Sequence, residues 1–261
     1  MSSQIPLKFS TKKPLKVKFS GLNLSTDGGL LLVKQADTNL NLCQRIASCL
    51  SDDRERHKIH HSYFQLVSQR IYQIVAGYED VNDSNYLRND PIFQTICGKM
   101  PILGTEALAS QPTISRFENR ITTAELKSLR RFFVNNFIEQ HQEVPQEIVL
   151  DIDGFDAETH GNQQLSLFHG YYHHQIYFPV LINEAETGYP LILHLRPGNC
   201  HPGKGVTSLL RWLFWRFKKA WPHVKIRLRA DAGFSLPEIM DVCERSNVEY
   251  AFGYSNNNVL K

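Results

Sequence analysis

The sequence has few cysteines and no spacing that would organise them into a site. Its five cysteines are scattered along 261 residues, and none forms a Cys-x-x-Cys pair. This odd, dispersed set excludes a disulfide framework and a zinc knuckle, and it is typical of reduced thiols in the cytoplasm. No apolar run is long enough to cross a membrane, and the polar, lysine-bearing N-terminus is no secretory signal. We therefore expect a soluble cytoplasmic protein with no membrane partner.

The chain also lacks a large excess of charge of either sign. Its net charge of +3 excludes a polycation as a whole, and its 42% hydrophobic content is enough for a sizeable core and two domains. Positive charge is instead concentrated in residues 1–20, where there is no acidic residue. The lysines of this basic arm are Lys8, Lys12, Lys13, Lys16 and Lys18. Such an arm suits a polyanion such as DNA, and a solvated, disordered terminus is an equally good interpretation.

Internal repeats and low-complexity segments are absent too, so the chain is interpreted element by element. Residues 21–143 have helical periodicity, and strand-like segments follow Pro145. The second part predicts three strands, a helix, a strand, a helix and a strand, with a long hairpin over residues 171–196. This order is the layout of the ribonuclease H-like α/β fold, a mixed sheet with helices on both faces. We predict a basic arm at 1–20, a helical DNA-binding domain at 21–143 and a ribonuclease H-like domain at 144–261.

Two of the predicted strands end on carboxylates. In "EIVLDIDG", the alternation of a strand places Asp151 and Asp153 on the face opposite the isoleucines. In "KIRLRADAGF", the same alternation places Asp231 at the end of the strand, opposite Ile226 and Leu228. A turn that contains glycine follows each carboxylate. If the two strands are neighbours, Asp153 and Asp231 converge at one edge of the sheet.

Two ionised carboxylates that converge repel each other unless a cation lies between them. Carboxylate oxygens are suitable ligands for Mg²⁺ or Mn²⁺, and a pair of such ions stabilises the attacking and leaving oxygens when a phosphodiester is displaced. The alternative is that each aspartate only caps the turn that follows it. Either aspartate alone favours the cap, but the pair in this strand order favours a metal site.

A possible recognition helix lies in "LASQPTISRFENRI", which has helix-turn-helix character. A helix that begins near Gln111 would direct Ile114 and Phe117 inward. Its outward residues would be Thr113, Ser115, Arg116 and Asn119. Such a helix fits a DNA major groove, and a short structural helix is an equally good interpretation from spacing alone.

The loop "RPGNCHPGKG" is a second candidate contact with DNA. It contains Arg196, His201 and Lys204 and is followed by a predicted helix. Cations and backbone N–H groups in such a loop are suited to binding phosphate. A flexible connector is the alternative.

Several motifs together resemble the DDE transposases of the insertion-sequence 1380 family. They include "LDIDGFDAETHGNQQLSLFHGYYHHQIYFPVLI", "LRPGNCH" and "RADAGF", while "LSTDGGLLL" and "QPTISRFENR" are similar to that family's N-terminal helical region. The resemblance implies a ribonuclease H-like catalytic domain that binds two divalent ions and cleaves and joins DNA at element ends. It also implies element ends and target DNA as partners, self-association on DNA, no small-molecule substrate and a place with the bacterial nucleoid.

The resemblance assigns the family's first two acids to Asp153 and Asp231. Asp151 is the less favoured ligand, and we expect it to be buried, structural and paired with Arg227 or Arg229. The family's third acid is usually a glutamate on a helix beyond the last strand, and the sequence ends before such a helix. We therefore expect a C-terminally incomplete domain that does not cleave DNA by itself.

Two further functions stay open beside an active transposase. One is a catalytically inactive transposase fragment that only binds DNA. The other is a ribonuclease H-like nuclease, whose last acid would have to be Glu238, Glu244 or Glu249.

Overall fold

The computed structural model describes residues 26–100, 107–161 and 163–254. The chain divides into two compact units, Met1–Leu129 and Arg130–Lys261. This division falls inside a long helix, earlier than the domain boundary expected at residue 143. The basic arm predicted at 1–20 lies outside the described residues.

Unit 1 is helical throughout its described residues. Its α-helices are α1 (Leu30–Leu40), α2 (Leu42–Ala47), α3 (Tyr63–Val75), α4 (Ser84–Leu87), α5 (Pro91–Ile96), α6 (Gln111–Asn119) and the first turns of α7 (Thr123–Gln140). Helix α3 begins at a capping box, in which the Ser62 and Gln65 side chains each accept from the other residue's backbone N–H. Helix α5 begins with Asp90 as its cap and a proline in its first turn. Local capping thus fixes where these helices start.

A buried carboxylate joins three helices of unit 1. Asp37 of α1 accepts hydrogen bonds from the Cys43 backbone N–H at 2.8 Å and from the Tyr72 hydroxyl at 2.6 Å. Burial alone would raise the pKa of Asp37, but these donors and Lys34 together hold that pKa below its usual value. The ionised carboxylate therefore stabilises the packing of α1 on α2 and α3.

Unit 2 contains all the strands among the described residues. They are β1 (Glu147–Gly154), β2 (Ala157–Glu158), β3 (Leu167–His169), β4 (His174–Tyr177), β5 (Val180–Glu184), β6 (Pro190–His194), β7 (Lys225–Ala230) and β8 (Glu249–Phe252). The main sheet has the order β6-β5-β1-β7-β8, with β1, β7 and β8 parallel and β5 antiparallel to both β1 and β6. Helix α8 (Val206–Ala220) connects β6 to β7, and α9 (Pro237–Arg245) connects β7 to β8. The predicted ribonuclease H-like layout of a mixed sheet is confirmed.

The predicted hairpin over residues 171–196 is only partly right. Its first strand was expected to be continuous to residue 182, but β4 ends at Tyr177 and belongs to a separate three-stranded sheet, β2-β4-β3. Only β5 and β6 pair in the main sheet. Pro179 separates β4 from β5, and a proline has no N–H to continue the hydrogen-bond ladder of a central strand.

The alternation along β1 determines which way its side chains point. Ile148, Leu150 and Ile152 are each at most 3% exposed and lie in the core of unit 2. The apolar face of α8 lies in the same core, with Leu210 and Phe214 fully buried. Burial of each such side chain contributes about 1.5–3 kcal/mol to the free energy of folding. A register shift by one residue would bury aspartates instead, so this core fixes Asp151 and Asp153 on the opposite face.

No helix in the described part of the chain is both long enough and apolar enough to cross a membrane.

Candidate active site at the ends of two parallel strands

The two candidate aspartates leave the main sheet side by side. Strands β1 and β7 are parallel neighbours, and their register pairs Ile152 with Ala230. Asp153 follows Ile152 and Asp231 follows Ala230, so both aspartates lie at the carboxyl ends of these two strands. The expectation that these two strands are adjacent is therefore confirmed, and both aspartates are exposed at one edge.

Each aspartate also accepts a hydrogen bond from a nearby backbone N–H. Asp153 Oδ1 accepts from the Gly154 N–H at 2.7 Å, and Asp231 Oδ1 accepts from the Gly233 N–H at 2.9 Å. The capping interpretation thus holds for Asp231, at the 3₁₀ turn Ala232–Phe234, but not for Asp153, because Gly154 is the last residue of β1. Each hydrogen bond uses only one oxygen of its carboxylate. Among the described residues neither Oδ2 atom accepts a hydrogen bond, so each side chain keeps one oxygen for another ligand.

A tyrosine, Tyr172, lies close enough to both carboxylates to be affected by their charge. Burial raises the pKa of Tyr172, and negative charge on Asp156, Asp153 and Asp231 raises this pKa further. One phenol therefore lies within electrostatic reach of both strand ends and of Asp156. Asp156, which lies 3.4 Å from His174 Nε2, was not singled out in the sequence.

The two glycines of these turns are required by close packing. A Cβ at Gly154 would lie 2.9 Å from the Phe178 ring, and a Cβ at Gly233 would lie 2.9 Å from Pro202. Neither position has room for a side chain unless a neighbour moves. Both carboxylates are thus held on turns whose backbone is packed against other loops of unit 2.

The comparison with known families identifies the family of the chain. The sequence matches the family described as Transposase DDE domain group 1 over residues 7–261. The chain belongs to this family. The prediction of a DDE transposase is confirmed at this level, and assignment to the insertion-sequence 1380 family stays a prediction. No curated protein sequence matches the chain.

Solved transposase structures are similar at low sequence identity. One is a piggyBac transposase synaptic complex with hairpin DNA, with 11% identity, a TM-score of 0.41, and coverage of 85% of this chain and 52% of that one. Another is a Mos1 transposase paired-end complex with the left transposon end, with 10% identity, a TM-score of 0.28, and coverage of 87% and 78%. A third is a Mos1 mariner paired-end complex with Mn, with 8% identity, a TM-score of 0.27 and the same coverage, 87% and 78%. This DDE chain spans about half the length of the piggyBac chain.

DDE transposases use divalent metal ions, and two acids of this chain fit such ions. Asp153 and Asp231 each present an unused, hard carboxylate oxygen at one solvent-exposed edge, as Mg²⁺ and Mn²⁺ require. The described residues bring no group of three or more histidine, cysteine, aspartate or glutamate side chains into metal-binding geometry. The site in this DDE domain therefore has two candidate ligands rather than a full set.

Asp151 forms a bidentate ion pair with a neighbouring arginine. Its two oxygens accept from Arg229 Nε at 2.6 Å and Nη2 at 2.7 Å. This is one of the two expected pairings, but the expectation of a buried residue was wrong, because the Asp151 side chain is 34% exposed. The face of β1 opposite the core is open at this point, and Arg229 shields the charge instead of protein packing.

Arg196 has a structural place in this DDE domain, and we remove it from the DNA contacts expected from the sequence. It is 4% exposed, and its guanidinium donates to the carbonyls of Phe178 at 2.9 Å, His201 at 3.3 Å and Pro202. The pattern of a Gly/Pro-rich loop gave no sign that the loop carbonyls turn inward toward this cation. Arg196 thus connects the Phe178 backbone, beside Gly154, to the loop that packs on Gly233.

The remaining predicted DNA contacts lie on the surface. His201 and Lys204 are exposed, and the His201 ring accepts from the Gly203 N–H at 3.3 Å. In α6, Ile114 and Phe117 are buried as predicted, with 0% and 6% exposure. Arg116 and Asn119 are exposed, whereas Thr113 and Ser115 are partly buried. Contact of any of these residues with DNA stays a prediction.

Proposed function

We propose that this chain acts in DNA transposition, as a DDE enzyme that cleaves and joins DNA strands at the ends of its element. The observation that carries the proposal is the emergence of Asp153 and Asp231 from neighbouring parallel strands, each with one unused carboxylate oxygen. Membership of the DDE family supports the same chemistry. The proposed partners are element ends, target DNA and further copies of the chain on that DNA.

In this proposal the two aspartates hold divalent metal, Mg²⁺ or Mn²⁺. When bound, a pair of such ions supplies charge that stabilises the attacking and leaving oxygens of a phosphodiester. The N–H groups of Gly154 and Gly233 orient each carboxylate by binding Oδ1, and Oδ2 would remain free to hold an ion. Arg196 would support both carboxylates by connecting the Phe178 backbone to the loop that packs on Gly233.

We further propose that the chain as given binds metal weakly and does not cleave DNA by itself. Glu249 accepts from Arg227 at 2.7 Å and begins β8, at the opposite end of the sheet from Asp231. Glu244 accepts from the Tyr250 hydroxyl at 3.0 Å. Glu238 lies in the first turn of α9, where it complements the helix dipole. None of these glutamates joins the two aspartates in a metal-binding group among the described residues, which disfavours a self-sufficient nuclease.

Binding to DNA is expected to depend steeply on salt. If the basic arm contacts phosphates, the affinity of the chain for duplex DNA should fall by orders of magnitude between 50 and 200 mM salt, as counterion release requires. Replacing Lys12, Lys13, Lys16 and Lys18 together by glutamine should lower the slope of log K against log salt by about 0.9 for each lost contact. Fluorescence anisotropy with labelled duplex measures both quantities. An unchanged slope in the variant would show that the arm is only a solvated tail.

A further inference from the structure

The helical unit contains a cavity whose walls are strongly basic. It has a volume of about 640 Å³ and lies between the segment after α2, helix α3 and helix α6. Five cations line it: Arg54, Lys58, Arg88, Arg116 and Arg120. No carboxylate is among the described residues that line it. These cations come from three separate segments of the sequence, so the fold brings the segments together.

Nearby acids neutralise some of these cations and leave others free. Asp52 accepts from Arg54 at 2.7 and 2.6 Å, and Asp53 forms an ion pair with Arg120. Lys58 lies 2.9 Å from a Glu55 oxygen. By contrast, Arg88 and Arg116 have no carboxylate within ion-pair distance in the described parts of the chain. The cavity therefore has uncompensated positive charge from two arginines, Arg88 and Arg116.

A histidine in the wall, His61, is surrounded by the same positive charges. Burial lowers the pKa of His61, and the positive charges of Lys99, His60, Arg88 and Arg54 lower this pKa further. The surrounding cations thus disfavour a positive charge on the His61 ring. The field in the cavity is suited to an anion.

Polar groups in the cavity wall also lack partners. Tyr63 is only 7% exposed, and its hydroxyl has no hydrogen-bond partner among the described residues. Nε of Arg88 is buried and unpartnered in the same way. The Arg54 guanidinium lies over the Tyr63 ring, 4.5 Å from its centroid, which fixes the ring in place. Unpaired donors beside free cations are the groups that bind phosphate oxygens.

We infer that this cavity binds a backbone phosphate of duplex DNA. Arg116 and Thr113 of α6 form one wall, so a phosphate held here would place the strand beside the helix predicted to enter the major groove. The inference rests on the proposed function, because it assumes that DNA is the partner. It adds Arg88 to the DNA-contacting residues, which the sequence pattern did not single out.

The test measures the affinity of the whole chain for labelled duplex DNA over a range of salt concentrations. Arg88→Gln and Arg116→Gln should each weaken binding severalfold and lower the salt slope by about 0.9, the value for one phosphate contact. Arg56→Gln is the matched control, because it removes the same charge from an exposed residue of the same segment that does not line the cavity. It should leave both quantities near those of the unmodified chain. Arg88→Lys should retain the salt slope and show that a cation, rather than the fold, was lost.

The outcomes separate this inference from the proposed function. If the unmodified chain does not bind DNA, the proposed function fails. If it binds but Arg88→Gln and Arg116→Gln bind equally well, the proposed function stands and the cavity is not a phosphate site. An equal loss in Arg56→Gln would also overturn the inference, since net charge alone would then explain the effect. Binding of polyglutamate that depends on Arg88, with DNA binding unaffected, would assign the cavity to an acidic protein segment instead.

Discussion

When the chain is joined to a C-terminal segment of an active family member, DNA cleavage is expected to fall on the order of a thousandfold or more on replacing either Asp153 or Asp231 by asparagine, because each replacement removes the charge of a proposed metal ligand. Asparagine keeps the size of the side chain and one oxygen, so the turns at Gly154 and Gly233 should persist. DNA binding should remain, because the proposed contacts lie elsewhere in the chain. The measurement is nicking of end-containing DNA by this joined protein with Mg²⁺ or Mn²⁺.

The chain as given provides the internal control for this result. It should bind the same DNA but leave it uncut, because two aspartates hold the second ion weakly. Retained cleavage in the joined Asp231→Asn protein would refute the role of Asp231. Robust nicking by the chain as given, lost in Glu238→Gln, would show that Glu238 already completes the site.

Replacement of Arg196 by methionine is expected to destabilise unit 2 by about 2–4 kcal/mol. Methionine fills much of the volume but leaves the carbonyls of Phe178 and Pro202 without their buried donor. Burial also lowers the pKa of Arg196, so removing the buried cation offsets part of the loss. All three tryptophans, Trp212, Trp215 and Trp221, lie in unit 2, and their fluorescence during chemical unfolding reports on that unit.

Arg211→Met is the matched control for the buried arginine. Arg211 is an exposed residue of α8, and a surface substitution of this kind changes stability by about 0.5 kcal/mol or less. An equally small change in Arg196→Met would show that water replaces the guanidinium at those carbonyls. Arg196 would then have no part in holding the loops behind the two aspartates.

Local periodicity accounts for the parts of the structure that the sequence predicted well. The alternation in β1 buries Ile148 and Leu150 and so determines the face on which Asp153 lies. Apolar spacing likewise identified Ile114 and Phe117 as the buried side of α6. In both cases the residues of a single helix or strand are enough to predict which side is buried, because the burial of its apolar residues decides its orientation.

Features that depend on distant residues were not predictable in this way. The proximity of Tyr172 to both aspartates arises from the small sheet β2-β4-β3, whose pairing no local pattern specified. The basic cavity combines Arg54, Arg88 and Arg116 from separate segments. Glycines and prolines mark the loop after Arg196, but only tertiary packing decides that its carbonyls face inward.

Binding of Mn²⁺ to the chain as given tests the central claim most directly, that Asp153 and Asp231 form one metal site. In a titration followed by nuclear magnetic resonance, the paramagnetic ion should broaden the amide signals of Gly154 and Gly233 together. The Asp153→Asn and Asp231→Asn variants should each weaken this binding by about tenfold or more, because ligand charge sets the affinity for a hard cation. Unchanged Mn²⁺ affinity in both variants, or broadening centred away from these two turns, would contradict the account.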